Sequence, residues 1–240
     1  MNERRGKAVP TRSNNIFIDV AQYLFHKPPV KTLVKYNNSD ARINVGMSIL
    51  QRTGIDVEHY KMLNLHGIGI KAPASFVFNE LLNWNGDSIC WPNHIAKVNL
   101  QNNDLEHIKI SLFGINLRLF GKNLFHLFNL NAIRIQHVPT DADFDNARYL
   151  LYECTGGYPI GVFSMYVRSS IPERGEKEMS QLFMMVSFNF YGRNRTRLKF
   201  INRIWEMIHN RITSNVVYRF KELCEYKFDK FVTNKLVSEK

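Results

Sequence analysis

From Arg197 to Tyr226 the chain runs for about thirty residues without a proline or a glycine. Apolar side chains recur there at Ile201, Ile204, Ile208, Ile212, Val216, Phe220 and Leu223. Steps of three and four place them on one side of a helix. Arg203, Glu206, Asn210, Arg211, Arg219, Lys221 and Glu222 fall mostly on the other side. A narrow apolar stripe on so long a helix needs a second surface to cover it. The chain has to supply that surface upstream, and what lies upstream reads as sheet.

Composition bounds the alternatives. The 240 residues suit one large domain, or one domain with an extension. An apolar fraction of 45%, with 12% aromatic, is ample for a core and excludes global disorder. No stretch approaches the length of uninterrupted apolar sequence that a membrane span needs. The polar, basic start from Met1 to Pro10 is unlike a secretory signal, which points to the cytoplasm. Cys90, Cys154 and Cys224 are far apart and form no CxxC pair, so they read as reduced thiols packed as small hydrophobes. No metal site is expected.

The formal charge is +11. Between Arg193 and Lys227 stand Arg193, Arg195, Arg197, Lys199, Arg203, Arg211, Arg219, Lys221 and Lys227, against Glu206, Glu222 and Glu225. Much of the excess therefore lies at the final helix. Such a basic helix suits a nucleic acid or an anionic surface, and equally the solvated back of a packed helix.

Taken in order, Met1 to Asn15 reads as a tail, and Ile16 to Phe25 as a short apolar element ended by Pro28-Pro29. Ala41 to Arg52 fits a helix or a strand. Met62 to Lys71 alternates apolar and polar residues, as a half-buried strand does. A helix from Ser75 to Trp84 follows, led by Pro73, with Phe76, Phe78 and Leu81/Leu82 as its buried stripe. Ser88 to His94 is a short second turn, and His94 to Leu100 a strand. Strands are then predicted over 107–113, 131–138, 148–154, 161–169 and 181–191, with Gly156 to Pro159 as a hairpin connection. Leu117 to Leu130 stays open between helix and strand.

This order of elements resembles the helix-grip fold of the START/Bet v 1-like (SRPBCC) superfamily, polyketide cyclases among them. The local likenesses are Gly69 to Phe78, similar to that family's strand-to-helix entry, and Trp84 with Trp91-Pro92, similar to its tryptophan-rich second helix. The resemblance implies an α+β domain over residues 60–228, a curved antiparallel sheet wrapped around a long C-terminal helix. Residues 1–59 would be an N-terminal extension (a lid, a dimer arm or a partner site) and 229–240 a C-terminal tail. It also implies a cavity between sheet and helix for a hydrophobic, aromatic or polyketide-like molecule, in which some members catalyse cyclisation, aromatisation or dehydration without a cofactor.

Familiar catalytic motifs are absent: Gly67-Ile68-Gly69 lacks the third glycine of a dinucleotide fingerprint, and Gly121-Lys122 is no phosphate loop. Strand parity is the remaining handle. His137 shares its parity with Ile133 and Ile135, which puts it toward the cavity as an acid/base if that face meets the helix. An ordinary strand-end histidine is the plainer reading. His94 and Trp91 fall at the second helix, near the cavity mouth in proteins of this fold. On 148–154, Tyr149, Leu151 and Glu153 share one face and Leu150, Tyr152 and Cys154 the other, with neither clearly the core. Tyr152 or Tyr149 would bind a carbonyl there, and a cavity Glu153 would be shifted toward its neutral acid. Phe163 and Met165, with Met184 and Phe188, form apolar faces that line the cavity or simply fill it.

Three functions follow. The lead is a ligand-binding protein of cyclase or aromatase type, using His137, His94 and Tyr152. The others are a non-catalytic lipid or metabolite carrier docking through its basic helix on an anionic surface or an acyl-carrier partner, and a nucleic-acid-associated protein. A homodimer is the plausible assembly.

Overall fold

The computed structural model describes residues 30, 32–34, 62–82, 95–101, 104–115, 125–137, 147–155, 160–170, 180–188 and 199–238. In chain order they form β1 (Thr32–Val34), β2 (Met62–Ile70), α1 (Ala74–Leu82), β3 (Ile95–Gln101), β4 (Asp104–Ile115), β5 (Phe125–His137), β6 (Ala147–Thr155), β7 (Ile160–Ser169), β8 (Ser180–Phe188) and α2 (Lys199–Ser238). The strands make one eight-stranded sheet, curved and not closed, in the order β1-β2-β8-β7-β6-β5-β4-β3. Every pairing is antiparallel. From β3 to β8 each strand pairs with its successor, and the unbroken ladder of β2 on β8 brings the start of the domain beside its last strand. With α1 and α2 against one face, this is an α+β arrangement of helix-grip type. The ambiguous 117–130 region contributes the first half of β5 from Phe125 onward.

The register fixes which residues face the helices. Ile70 pairs with Ser180, Ile68 with Leu182, His66 with Met184 and Asn64 with Val186. Across β7 the same face carries Val167, Met165 and Phe163, and across β6 it carries Leu150 and Tyr152. Ile70, Leu182, Val186, Val167, Met165, Phe163, Leu150 and Tyr152 form the main core with both helices. The opposite face is buried as well, through Leu65, Leu151, Val162, Tyr166, Phe183 and Met185. Strands buried on both faces read as near-continuous apolar runs, which is why 148–154 offered no clear core parity.

Helix α1 starts where Pro73 supplies a carbonyl to the Val77 N–H at 3.0 Å. A proline just ahead of a helix has no N–H to leave unsatisfied. Its buried residues, Ala74, Val77, Phe78 and Leu81, recur at helical spacing and pack on β6, β7 and β8. Full burial of Val77 and Leu81 stabilises the domain by roughly 1.5–3 kcal/mol each.

Helix α2 packs chiefly along β2. Ile212, Val216, Phe220 and Leu223 are buried, as the stripe predicts, and Val217 and Cys224 join them. Further toward the N-terminus Ile204 is 37% exposed. Around Ile212 the buried face also carries polar residues, His209, Asn210, Thr213 and Ser214. At the other end the helix does not give way to a tail after residue 228 but continues to Ser238. Forty residues make it about 60 Å long. Phe228 meets the edge of Phe76 with ring centroids 5.1 Å apart, and Lys227 pairs with Glu80.

Several cations of α2 are engaged within the domain. Lys221 donates to the Gly69 carbonyl at 2.7 Å and lies 3.5 Å from Glu225, whose carboxylate accepts the Lys71 N–H at 2.9 Å. Arg219 pairs with Glu222 at 3.5 Å. The domain also takes in part of the stretch assigned to the N-terminal extension. Val30 is buried in the core, its N–H donates to Ser214 Oγ at 2.9 Å, and β1 forms the sheet edge beside β2.

Gly67 makes that edge possible. A Cβ built on it would lie 2.7 Å from Leu33 Cδ1 and 3.1 Å from the Phe183 ring. Gly67→Val is therefore expected to destabilise the domain by about 1–3 kcal/mol through overpacking. Gly67→Ala costs less, because the end of the Leu33 side chain can swing aside. Urea unfolding of the two variants checks this, and a midpoint unchanged in Gly67→Val would show that β1 does not seat on this glycine.

Candidate functional site

The polar residues on the helix-facing side of β2 form the chemically distinctive place in the described structure. Asn64 and His66 are both fully buried, and they share their face with Ile68 and Ile70. Opposite them on α2 is Asn210, and opposite His66 on β1 is Thr32. Asn210 Oδ1 lies 2.6 Å from His66 Nε2 and 2.6 Å from Thr32 Oγ1. An amide oxygen only accepts, so the Thr32 hydroxyl and the His66 Nε2–H both donate to it. The Thr32 oxygen sits 3.4 Å from the same imidazole nitrogen.

Burial pushes His66 down from 6.5 to about 4, outweighing the opposite effect of the Asn210 side chain and of the Asn210 and Met184 backbone. The ring is neutral at physiological pH. With Nε2 carrying the hydrogen, Nδ1 presents a bare lone pair, and that atom has no hydrogen-bond partner. Asn64 likewise engages neither its Oδ1 nor its Nδ2. Three unpaired polar atoms thus stand on one face of one strand, each costing about 1–3 kcal/mol relative to a satisfied group. A second buried histidine, His209, lies one residue before Asn210 and is lowered to about 3 by burial.

The four residues Tyr152, Phe163, Met165 and Met184 come together on the helix-facing side of adjacent strands. Tyr152 stacks on Phe163 with ring centroids 4.7 Å apart and planes 10° apart. Phe163 and Met165 are buried in the core beneath α1, while Met184 is half-buried and stands opposite His66. Phe188 ends β8, its backbone paired with Met62 and Ile160.

Glu153 is exposed and pairs with Val162 on the face turned away from the helices, so it is not the desolvated acid that a cavity position implied. The backbone of Tyr149 pairs with Tyr166. His137 pairs with Leu150 after a register break between Arg134 and Gln136. The parity that tied it to Ile133 does not run through that break, for Ile133 pairs with Glu153 of the far face, whereas Leu150 belongs to the helix-facing side. Trp91, His94 and Cys90 lie outside the described residues.

The sequence reading passed over Asn64 and His66 because a polar residue at every second position of a strand ordinarily faces water. The signal was in their parity. Counting by two from His66 reaches Ile68 and Ile70, whereas the other face carries Gly67 and Gly69.

Cys154 and Cys224 are free thiols, both pushed up to about 12, chiefly by burial. That suits small hydrophobes and not nucleophiles. Among the described residues no group of three or more His, Cys, Asp or Glu stands close enough to hold a metal ion. No helix among them is long and apolar enough to cross a membrane.

No protein-family model matches the chain, and no curated protein matches it. Solved structures do resemble it. The aromatase/cyclase Zhui from Streptomyces sp. R1128 is 15% identical, with 68% of this chain and 93% of that one aligned at a TM-score of 0.43. A conserved protein from Geobacillus kaustophilus is 16% identical over 68% of this chain and 94% of that one, with a TM-score of 0.40. At such values the fold assignment rests on this chain's own strand order and helix placement.

Proposed function

We propose that this protein binds a hydrophobic, aromatic small molecule between its sheet and α2, with the polar end of the molecule at Asn64 and His66. The observation that carries the reading is the fully buried, wholly unpaired Asn64 amide beside the bare Nδ1 of His66. A chain gains nothing in stability from three unsatisfied polar atoms; a ligand that satisfies them gives the arrangement a purpose. Met184 and Val186, opposite them on β8, supply an adaptable apolar wall. A neutral imidazole held by Asn210 is also the group such a site would use to move a proton during cyclisation, aromatisation or dehydration.

The test combines ligand detection with one substitution. Native mass spectrometry of protein from its own host is expected to show a bound apolar compound that denaturing extraction releases. Asn64→Leu is expected to lose that compound while the ligand-free protein unfolds about 1–3 kcal/mol later, because two orphaned atoms have been removed. A protein that carries no compound, and whose Asn64→Leu variant is less stable, would overturn the reading.

Acid should loosen the same site. The folded-state pKa of His66 lies below 6.5, so the fold favours its neutral form. That contribution is fully present above pH 6.5 and is lost as pH falls toward about 4. The lowering corresponds to roughly 3 kcal/mol at about 1.4 kcal/mol per pH unit. Unfolding midpoints measured from pH 7 down to pH 5 should fall, and His66→Gln, which keeps a donor for Asn210 without titrating, should flatten part of the slope. Parallel slopes in the two proteins would exclude His66 as a source.

The far end of α2 favours a second role beside the first, docking on an anionic surface. Phe231, Val232 and Leu236 are exposed on a helix that runs past the sheet, and Lys230 and Lys235 accompany them. Apolar side chains with snorkelling lysines suit an interfacial helix. Co-sedimentation with phosphatidylserine vesicles should fall with added salt and with Phe231→Asp plus Leu236→Asp. Binding that ignores both changes would remove this role.

A further inference from the structure

Resting on the ligand-binding reading, the hydrogen-bond polarity of the site narrows the ligand's chemistry: we propose that it presents a neutral hydroxyl, phenolic or enolic, whose O–H donates to His66 Nδ1. Each step comes from the geometry. Asn210 Oδ1 takes two donors at 2.6 Å, which leaves the His66 hydrogen on Nε2 and a lone pair on Nδ1. Only a donor satisfies that lone pair. A carboxylate would set an anion against it in a buried place, and a methyl ether or bare carbonyl would leave it unpaired.

Asn64 completes the specification. It stands two residues away on the same strand face and has both a free acceptor and a free donor. A hydroxyl oxygen has lone pairs for the Asn64 Nδ2–H while its hydrogen goes to His66, so one small group serves both side chains. Among the described residues the groups facing this site are Thr32 from β1, Met184 and Val186 from β8, and Asn210 from α2. None of these brings a charge to hold a carboxylate. The bare Nδ1 lone pair therefore disfavours a fatty acid's carboxylate and favours an apolar ring or enol that keeps its proton.

The experiment compares three probes of one size on the full chain: a naphthol, its methyl ether and the corresponding naphthoic acid. Titration followed by calorimetry or probe fluorescence is expected to give the naphthol an affinity at least about tenfold above the other two, the value of one buried hydrogen bond satisfied. The margin should vanish in His66→Phe. Because that substitution also removes the bond to Asn210, ring nitrogen NMR of the wild-type protein gives an independent reading. Nδ1 should shift on naphthol binding and stay unmoved with the ether. Equal affinity for naphthol and ether, or an Nδ1 resonance that does not respond, would overturn the hydroxyl while leaving apolar binding standing. Tighter binding of the naphthoate would overturn it too. Failure of all three probes to bind would count against the binding site itself.

Discussion

The pairing of β2 with β8 is the constraint on which the rest of this fold depends. Six strands from β3 to β8 follow one another as a meander and need only local turns. The β2–β8 ladder instead joins residues more than a hundred positions apart, through nine consecutive pairs without a bulge. It fixes which face of β2 looks at α2. A slip of one residue would turn Asn64, His66, Ile68 and Ile70 outward together and bring Leu65 and the two glycines inward. Register here decides at once the core and the chemistry.

The two helices divide the covered face. Helix α1 lies over β6, β7 and β8, where Tyr152, Phe163 and Met165 form an apolar floor. Helix α2 lies along β2, its apolar half over Ile68 and Ile70 and its polar half, Asn210 to Ser214, over His66 and the β1 edge. The change from apolar to polar along α2 matches the change along β2. At position 210 an apolar residue would face an imidazole and a threonine hydroxyl needing an acceptor.

Much of this was legible in the sequence for a physical reason: long elements with one clear period announce themselves. Helix α2 between Ile212 and Leu223, the Pro73-led α1, and β6, β7 and β8 stand within a few residues of their predicted places. Less legible was whatever depended on two competing surfaces. Leu151 is buried on one face of β6 and Leu150 and Tyr152 on the other, so composition gave no parity to choose there. The break in β5 between Arg134 and Gln136 defeats counting by two, and a bulge leaves no sure mark in a sequence. Short β1 has three residues and no period at all. The far end of α2 was read as a tail because Lys, Asp and Thr interrupt its apolar residues, although nothing between Tyr226 and Ser238 breaks a helix.

Position 64 shows where stability and use part company. Its neighbours on the sheet face are His66 along the strand and Val186 across it. A leucine there would bury apolar area and leave no orphaned atom. The chain instead holds an amide with both ends unpaired, next to an imidazole whose lone pair is also unpaired. Each orphan alone is the kind of small defect a stable domain tolerates. Three of them stand on one face, the imidazole oriented by the Thr32–Asn210–His66 hydrogen bonds, and together they offer one donor and two acceptors in a buried place. Burial of that kind carries its cost in the empty protein and returns it on binding, since no group then has to be desolvated when the partner arrives. On the proposed reading, recognition lies at the β2–α2 seam and not at the apolar floor under α1.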